Sequence, residues 1–215
     1  MKVVIVGGVA GGASAAARLR RLDEAAEIVM IERTGYVSYA NCGLPYYVGG
    51  VITDKRKLTL QTPESFKARF AVDVRVGQEV VSIDRDNKRV CVRRLADGSI
   101  YEEAYDVLVL SPGARPVIPD IPGVDGSRVF ALRTVEDAYA IKDFVDAEGV
   151  RSAVVVGAGF IGLETAENLR DLGMEVTVVQ RGTQVMKSVD PDMAAIIHNR
   201  LRDAGVRLLL STHIE

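Results

Sequence analysis

The chain has 215 residues, of which 48% are hydrophobic and 26% are charged, and its net charge is −2. This ordinary globular composition is long enough for one large domain or two modest ones. The near-neutral charge argues against a nucleic acid or an anionic membrane as partner, because neither would meet a basic face.

The amino-terminal residues predict a strand, a glycine turn, a helix and a second strand. The apolar, β-branched run KVVIV at 2–6 is typical of a buried parallel strand. Helix-forming residues fill 13–24, and the strand predicted at 27–32 ends in an acid. No signal-peptide pattern precedes the turn and no apolar run is long enough to cross a bilayer, so we expect a cytoplasmic protein without a membrane partner.

The glycine turn GGVAGG at 7–12 has the pattern of a dinucleotide site. Glycines let the backbone approach a pyrophosphate, and the N–H groups at the start of the following helix bind its phosphates. An acid at the end of the second strand accepts hydrogen bonds from ribose hydroxyls, and Glu32 lies 20 residues after Gly12, where that acid is expected. The turn is irregular, because Val9 stands at the second glycine position.

The same unit returns near the carboxyl end of the chain. A strand at 151–156, the turn GAGFIG at 157–162, a helix at 163–173 and a strand at 174–180 follow one another. Its second strand ends in Gln180 and Arg181 instead of an acid. A carboxylate at this position would repel a 2′-phosphate, whereas an arginine can pair with one. The sequence is therefore compatible with NADPH and with NADH.

The residues between the two units predict short antiparallel strands. Three polar-alternating segments lie at 79–104, and the strand YDVLVL then runs into a second turn at 111–113. The Pro- and Gly-rich stretch 116–126 is the candidate linker. We therefore predict an α/β protein of two tandem Rossmann-like βαβ domains, 1–115 and 116–215, with parallel central sheets and a small antiparallel β-meander.

The stretch SYANCGLPYYVGG at 38–50 places Cys42 among small and turn-forming residues. The other cysteine, Cys91, lies in a predicted strand and is expected to be an inert, core-facing residue. Two distant cysteines do not suggest a structural disulfide. His198 and His213 are isolated in the sequence, so we expect no metal site.

Together these motifs resemble the flavin-dependent pyridine nucleotide–disulfide oxidoreductases along essentially the whole chain. The first turn with Glu32 is similar to that family's FAD site, YDVLVLSPGA to its second FAD motif and VVVGAGFIGLE to its NAD(P)H motif. Most members carry two redox cysteines spaced C-x₄-C, but here Tyr47 holds the second position. The pattern fits the single-cysteine branch of coenzyme A-disulfide reductases, persulfide reductases, and NADH oxidases and peroxidases, and it looks most like the first.

The resemblance implies the cofactors FAD and NADPH or NADH, and coenzyme A or another small thiol or disulfide as substrate. Electrons pass from NAD(P)H through the flavin to a disulfide between Cys42 and coenzyme A. Two alternatives stay open. An oxidase or peroxidase would cycle Cys42 through sulfenic acid, and a non-catalytic fragment would only bind nucleotides.

The resemblance also assigns site residues, with Cys42 as the catalytic one. The expected FAD contacts are Gly7, Val9, Ala10, Gly11, Gly12, Glu32, Arg33, Asn41, Cys42, Val80, Ser111, Pro112 and Gly113. The expected NAD(P)H contacts are Gly157, Gly159, Phe160, Ile161, Gly162, Glu164, Gln180 and Arg181. The expected substrate contacts are Arg18, Arg21, Ser38 and Asn41, although the two arginines also fit a solvated helix face.

Full-length members of this family continue beyond the second nucleotide motif. They have a returning FAD segment with a Gly–Asp pair and a dimerisation domain, and no such pair follows residue 182 here. We therefore expect a truncated chain that binds FAD weakly and does not turn over alone, and a homodimer in the full-length form. A C-terminal rhodanese domain, present in some relatives, is left open.

Overall fold

The computed structural model describes the backbone of all 215 residues and every side chain except that of Glu148. The strands are β1 Lys2–Val6, β2 Glu27–Ile31, β3 Asp73–Arg75, β4 Gln78–Asp84, β5 Arg89–Arg94, β6 Ile100–Ala104, β7 Val107–Leu110, β8 Ser152–Val156, β9 Glu175–Val179 and β10 Arg207–Leu209. The α-helices are α1 Ala10–Leu22, α2 Leu44–Val48, α3 Pro63–Phe70, α4 Val135–Glu148, α5 Phe160–Asp171 and α6 Pro191–Asp203. Short 3₁₀ helices lie at Asn41–Gly43 and Lys55–Lys57.

Contacts divide the chain into two compact units. The first contains Met1–Ala40 and Thr59–Arg115, and the second contains Asn41–Leu58 and Pro116–Glu215. The predicted α/β class, with parallel sheets and an antiparallel meander, is confirmed. The assignment of 1–115 and 116–215 to separate nucleotide-binding domains stays a prediction.

The first unit is built on a parallel sheet in the order β3-β2-β1-β7. Successive residues of β1 face opposite sides, so Val3 and Ile5 pack with α1 and α3. Val4 packs on the other face, against Val90 and Val92 of the antiparallel sheet β4-β5-β6. Both faces are covered, which explains why the strand reads as a continuous apolar run.

Charged side chains tie the antiparallel sheet to the parallel one. The Lys2 ammonium lies 2.6 Å from one carboxylate oxygen of Glu103 and 2.7 Å from Glu27. The Arg75 guanidinium pairs with the other Glu103 oxygen and with Asp73 at 2.8 Å. Glu103 is buried, and the partly exposed Lys2 and Arg75 compensate its charge.

The second unit repeats the first βαβ design with a parallel sheet in the order β10-β9-β8. Its helix α5 packs on β8 and β9, and α6 packs on β10. The helix α2, which follows Cys42, packs against α4 and α5 of this unit. The Tyr47 and Tyr139 rings lie 5.3 Å apart there. A Cβ on Gly49 would lie 2.3 Å from Asn168 Oδ1, so glycine allows this close approach.

Both βαβ helices begin three residues earlier than predicted, at Ala10 and Phe160. The last glycine of each turn, Gly12 or Gly162, therefore lies in the first helical turn. A Cβ on Gly12 would lie 1.8 Å from the carbonyl oxygen of Gly7, so glycine lets this helix sit against its strand. No described helix has the length and apolar character needed to cross a membrane.

Candidate functional site

A cavity of about 350 Å³ opens at the carboxyl ends of β1 and β2 in the first unit. In this sheet β2 and β3 lie on one side of β1, and β7 lies on the other. The cavity is therefore at the point where the strand order reverses. Its lining includes predicted FAD residues from four segments of the chain: Gly7, Glu32, Arg33, Val80, Pro112 and Gly113. The structure thus gathers these residues around one opening.

Glu32 is the buried carboxylate of this cavity. Its Oε2 accepts a hydrogen bond from the Gly8 N–H at 2.7 Å. Its Oε1 accepts from the Thr34 N–H at 2.8 Å and from the Thr34 hydroxyl at 2.9 Å. A carboxylate has about four acceptor sites, so these bonds hold Glu32 in place and leave capacity for a ribose hydroxyl.

The first glycine turn and the second predicted FAD motif meet at Ser111. Gly7 has a positive φ of 95°, and a Cβ there would lie 2.0 Å from the Ser111 carbonyl oxygen. A Cβ on Gly11 would lie 2.3 Å from the Ser111 hydroxyl. Val9 is the N-cap of α1 and Ala10 its first residue. The open turn, the carboxylate and the cavity together fit the adenosine and phosphate end of a dinucleotide.

Replacing Gly7 with alanine should destabilise the first unit by about 2–5 kcal/mol. The left-handed backbone costs about 1–2 kcal/mol for a residue with a Cβ, and the backbone clash at Ser111 adds about 1–3 kcal/mol. Gly157 is the matched control, because it has φ 96° but nothing within 4 Å of its Cβ position. We expect Gly157→Ala to cost only the first amount in urea unfolding, and equal losses would contradict the close approach at Ser111.

The second glycine turn has the geometry of the first. The Gly157 N–H donates to the Val179 carbonyl at 2.8 Å, as the Gly7 N–H donates to Ile31 at 2.8 Å. A Cβ on Gly162 would lie 2.0 Å from the Gly157 oxygen. Gly159 is exposed and a Cβ there would meet nothing within 4 Å, so packing within the chain does not require glycine. Close approach of a phosphate group would require it.

Gln180 is the structural counterpart of Glu32. Its Oε1 accepts a hydrogen bond from the Ala158 N–H at 3.2 Å, and its Nε2 donates to the Gln184 carbonyl at 3.3 Å. The amide therefore presents N–H groups where the first unit presents carboxylate oxygens. Of the other predicted NAD(P)H contacts, Phe160, Ile161 and Arg181 are exposed and Glu164 is half-buried.

Cys42 is an exposed free thiol in the 3₁₀ helix Asn41–Gly43, directly before α2. The helix α2 has Pro45 in its first turn. Arg133 was not predicted from the sequence; its Nη1 lies 3.5 Å from Asn41 Oδ1. These residues are 92 positions apart, and no sequence pattern links them. Cys91 is also free and lies half-buried in β5.

The predicted substrate residues other than Asn41 lie in the first unit. Ser38 has a positive φ of 47°, and its N–H donates to the Gly8 carbonyl at 2.9 Å. Arg18 and Arg21 are exposed on α1. Their neighbour Arg20 has a structural role, because its guanidinium donates to the carbonyls of Phe70 at 2.8 Å and Ala71 at 3.0 Å.

Among the described side chains, no group of three or more His, Cys, Asp and Glu residues is arranged to hold a metal ion. His198 instead holds a loop of the second unit, since its Nε2 accepts from the Val185 N–H at 3.1 Å. Burial, assisted by the charge of Arg202, lowers the pKa of His198. The imidazole is therefore neutral in this role.

Comparison with known proteins places the chain among oxidoreductases. It is 38% identical over 213 residues to a coenzyme A disulfide reductase of Staphylococcus haemolyticus, covering 99% of this chain and 48% of that protein. It is 37% identical to an NADH oxidase of Methanocaldococcus jannaschii, covering 100% of this chain and 48% of that protein. The chain thus spans about half the length of the curated relatives it matches.

Solved structures give the same result. The crystal structure of reduced Bacillus anthracis CoADR-RHD superimposes with a TM-score of 0.95 at 51% identity, covering 98% of this chain and 38% of that one. An NAD-dependent persulfide reductase from A. fulgidus superimposes with a TM-score of 0.95 at 41% identity, covering 100% of this chain and 40% of that one. The family model for pyridine nucleotide-disulphide oxidoreductases matches residues 1–215, and the chain therefore belongs to that family.

Proposed function

We propose that this chain is part of an NAD(P)H-dependent flavoprotein that reduces coenzyme A disulfide, or a persulfide of coenzyme A or another small thiol, through Cys42. The observation that carries the proposal is the exposed thiol of Cys42, in a chain whose other cysteine lies apart in a strand. The relatives named as coenzyme A disulfide reductases and as a persulfide reductase support this substrate class.

Two sets of residues would hold the cofactors. The first turn and Glu32 would bind the adenosine and phosphate end of FAD, with Ser111 against the turn and Pro112 and Gly113 in the lining of the same cavity. The second turn and Gln180 would bind the nicotinamide nucleotide. When bound, FAD supplies a carrier that takes two electrons from NAD(P)H and delivers them to a disulfide.

Cys42 has its own step in this proposal. Its thiolate attacks one sulfur of coenzyme A disulfide, so that a bond forms between Cys42 Sγ and that sulfur while the original S–S bond breaks. One coenzyme A leaves as a thiolate and takes a proton from water. Two electrons from NAD(P)H and a proton then restore the Cys42 thiol and release the second coenzyme A. Asn41, Ser38, Arg18 and Arg21 are the proposed substrate contacts.

The test follows the mass of the intact chain under non-reducing conditions after exposure to coenzyme A disulfide. We expect one coenzyme A adduct per chain, lost on reduction and formed faster than the adduct from glutathione disulfide. No adduct, or no preference over glutathione disulfide, would contradict the proposal.

An oxidase or peroxidase is the second candidate, supported by the relative named as an NADH oxidase. Its expected product is a sulfenic acid on Cys42 after exposure to hydrogen peroxide, trapped by a sulfenic-acid reagent. Rapid trapping without coenzyme A capture would replace the first proposal with this one. Binding of nucleotides without reaction of Cys42 with either coenzyme A disulfide or hydrogen peroxide would favour the non-catalytic alternative. The homodimer of the full-length protein stays a prediction.

A further inference from the structure

Helix α2, which begins two residues after Cys42, is held tightly within the second unit. The 3₁₀ helix Asn41–Gly43 runs directly into α2, and most side chains of α2 are buried. The helix packs against α4, where the Tyr47 ring meets that of Tyr139, and against α5. Because α2 has only 5 residues, a displacement of its carboxyl end would also displace Cys42.

The carboxyl end of α2 approaches α5 so closely that the contact requires glycine. Gly49 is the C-cap of α2 and has φ −71°, a backbone conformation that any residue adopts. A Cβ on Gly49 would lie 2.3 Å from Asn168 Oδ1 and 2.6 Å from Asn168 Cβ. The requirement for glycine therefore comes from the neighbouring helix and not from the backbone of α2.

The Asn168 side chain is fixed in this contact. It is 2% exposed, and its Nδ2 donates to the Glu164 carbonyl one helical turn earlier at 2.8 Å. A rotation away from Gly49 would break this bond and leave the buried amide unsatisfied, which is costly. It would also leave the Asn168 Cβ where it is. Asn168 thus sets the distance between α2 and α5.

We propose that Asn168 is a positioning residue for Cys42, and that its contact with Gly49 holds α2 where the thiol meets a disulfide bound beside Asn41. Asn168 acts on the reaction through α2. The inference rests on the proposed function, in which Cys42 attacks coenzyme A disulfide. It goes further by joining the reactive cysteine to α5, the helix that begins directly after Gly159 of the second glycine turn.

The test compares the rate of coenzyme A adduct formation, followed by intact mass, in Gly49→Ala and in the unaltered chain. Because nonbonded heavy atoms need about 3.5 Å, the added Cβ should push the two helices apart by about 1 Å. A misplacement of about 1 Å can slow a reaction by about a hundredfold, so we expect the adduct to form at least about tenfold more slowly. Alkylation of the exposed thiol by iodoacetamide should change far less, because this small reagent needs no aligned disulfide.

Further variants separate the contact from a general loss of stability. Gly49→Ala combined with Asn168→Gly moves the Cβ from one helix to the other and should restore most of the lost rate. Gly173→Ala is the matched control: Gly173 has φ 85° and nothing within 4 Å of its Cβ position, so alanine strains the end of α5 without pushing on α2. It should lower the thermal unfolding temperature and preserve the rate of adduct formation.

Asn168→Ala keeps the inference testable if Gly49→Ala does not fold. It removes the amide and adds no atom, and it should slow adduct formation because α2 loses the side chain that fixes its distance from α5. An unchanged rate in either folded variant, an equal loss in Gly173→Ala, or no recovery in the double variant would overturn the inference and leave the proposed function standing. No adduct in the unaltered chain would instead contradict the proposed function itself.

Discussion

Replacing Cys42 with serine is expected to abolish the capture of coenzyme A by this chain. A serine hydroxyl is not ionised at neutral pH and cannot form a disulfide, so the exchange step loses its nucleophile. The side chain is exposed, so the change should cost little stability, within about 0.5 kcal/mol. The measurement is the intact mass of the variant after exposure to coenzyme A disulfide, with thermal unfolding as the check on folding.

Cys91→Ser is the matched control for this experiment. Cys91 lies half-buried in β5, so the variant should still form one adduct per chain. An adduct that persists in Cys42→Ser and disappears in Cys91→Ser would show that Cys91 is the reactive thiol, which would contradict the proposed role of Cys42.

Replacing Glu103 with leucine is expected to lower the free energy of unfolding of the first unit by about 3–5 kcal/mol. The change leaves the Lys2 ammonium and the Arg75 guanidinium without the buried carboxylate that lies between them. It also removes the ion pair between β6 and Lys2 of β1, while the packing of Val4 against Val90 and Val92 remains. Urea unfolding followed by circular dichroism measures the loss.

The neighbouring acid provides the control. Glu102 is exposed and pairs with Arg89 at the surface, where an ion pair contributes about 0–1 kcal/mol. Glu102→Leu should therefore change stability far less than Glu103→Leu. Similar losses in the two variants would show that burial of the Glu103 cluster does not matter.

The contribution of Glu103 should also depend on pH. Burial alone raises the pKa of Glu103, but hydrogen bonds and charges from Lys2 and Arg75 outweigh it, and the pKa is lowered from 4.5. The stability difference between the unaltered chain and Glu103→Leu should be complete above pH 4.5 and decrease as pH falls through the lowered value. At high pH it should decrease again above 10.5, because the partner Lys2 has a raised pKa and loses its charge there.

The two βαβ units could be predicted because their signals are local. The strand predicted at 2–6 is β1, and the strand predicted at 151–156 differs from β8 by one residue. Both helix starts were placed too late, since Gly12 and Gly162 lie inside the first helical turn and glycine is a weak helix former. Packing against the strand overrides that propensity.

Features that depend on distant residues were not predictable. The segment Asn41–Leu58 lies in the amino-terminal part of the chain but packs with the second unit through α4 and α5. In the sequence, Glu103 is one of several acids in a strand that is expected to be exposed. No pattern in the surrounding residues indicates that it pairs with Lys2 and Arg75.

The most direct test of the account is an equilibrium titration of flavin fluorescence with this chain. The account predicts saturable, one-to-one binding of FAD that ADP competes away, and much weaker binding of FMN, because Glu32 and the first glycine turn recognise the adenosine and phosphate end. Absence of saturable FAD binding, or equal binding of FAD and FMN, would contradict the assignment of this cavity to FAD.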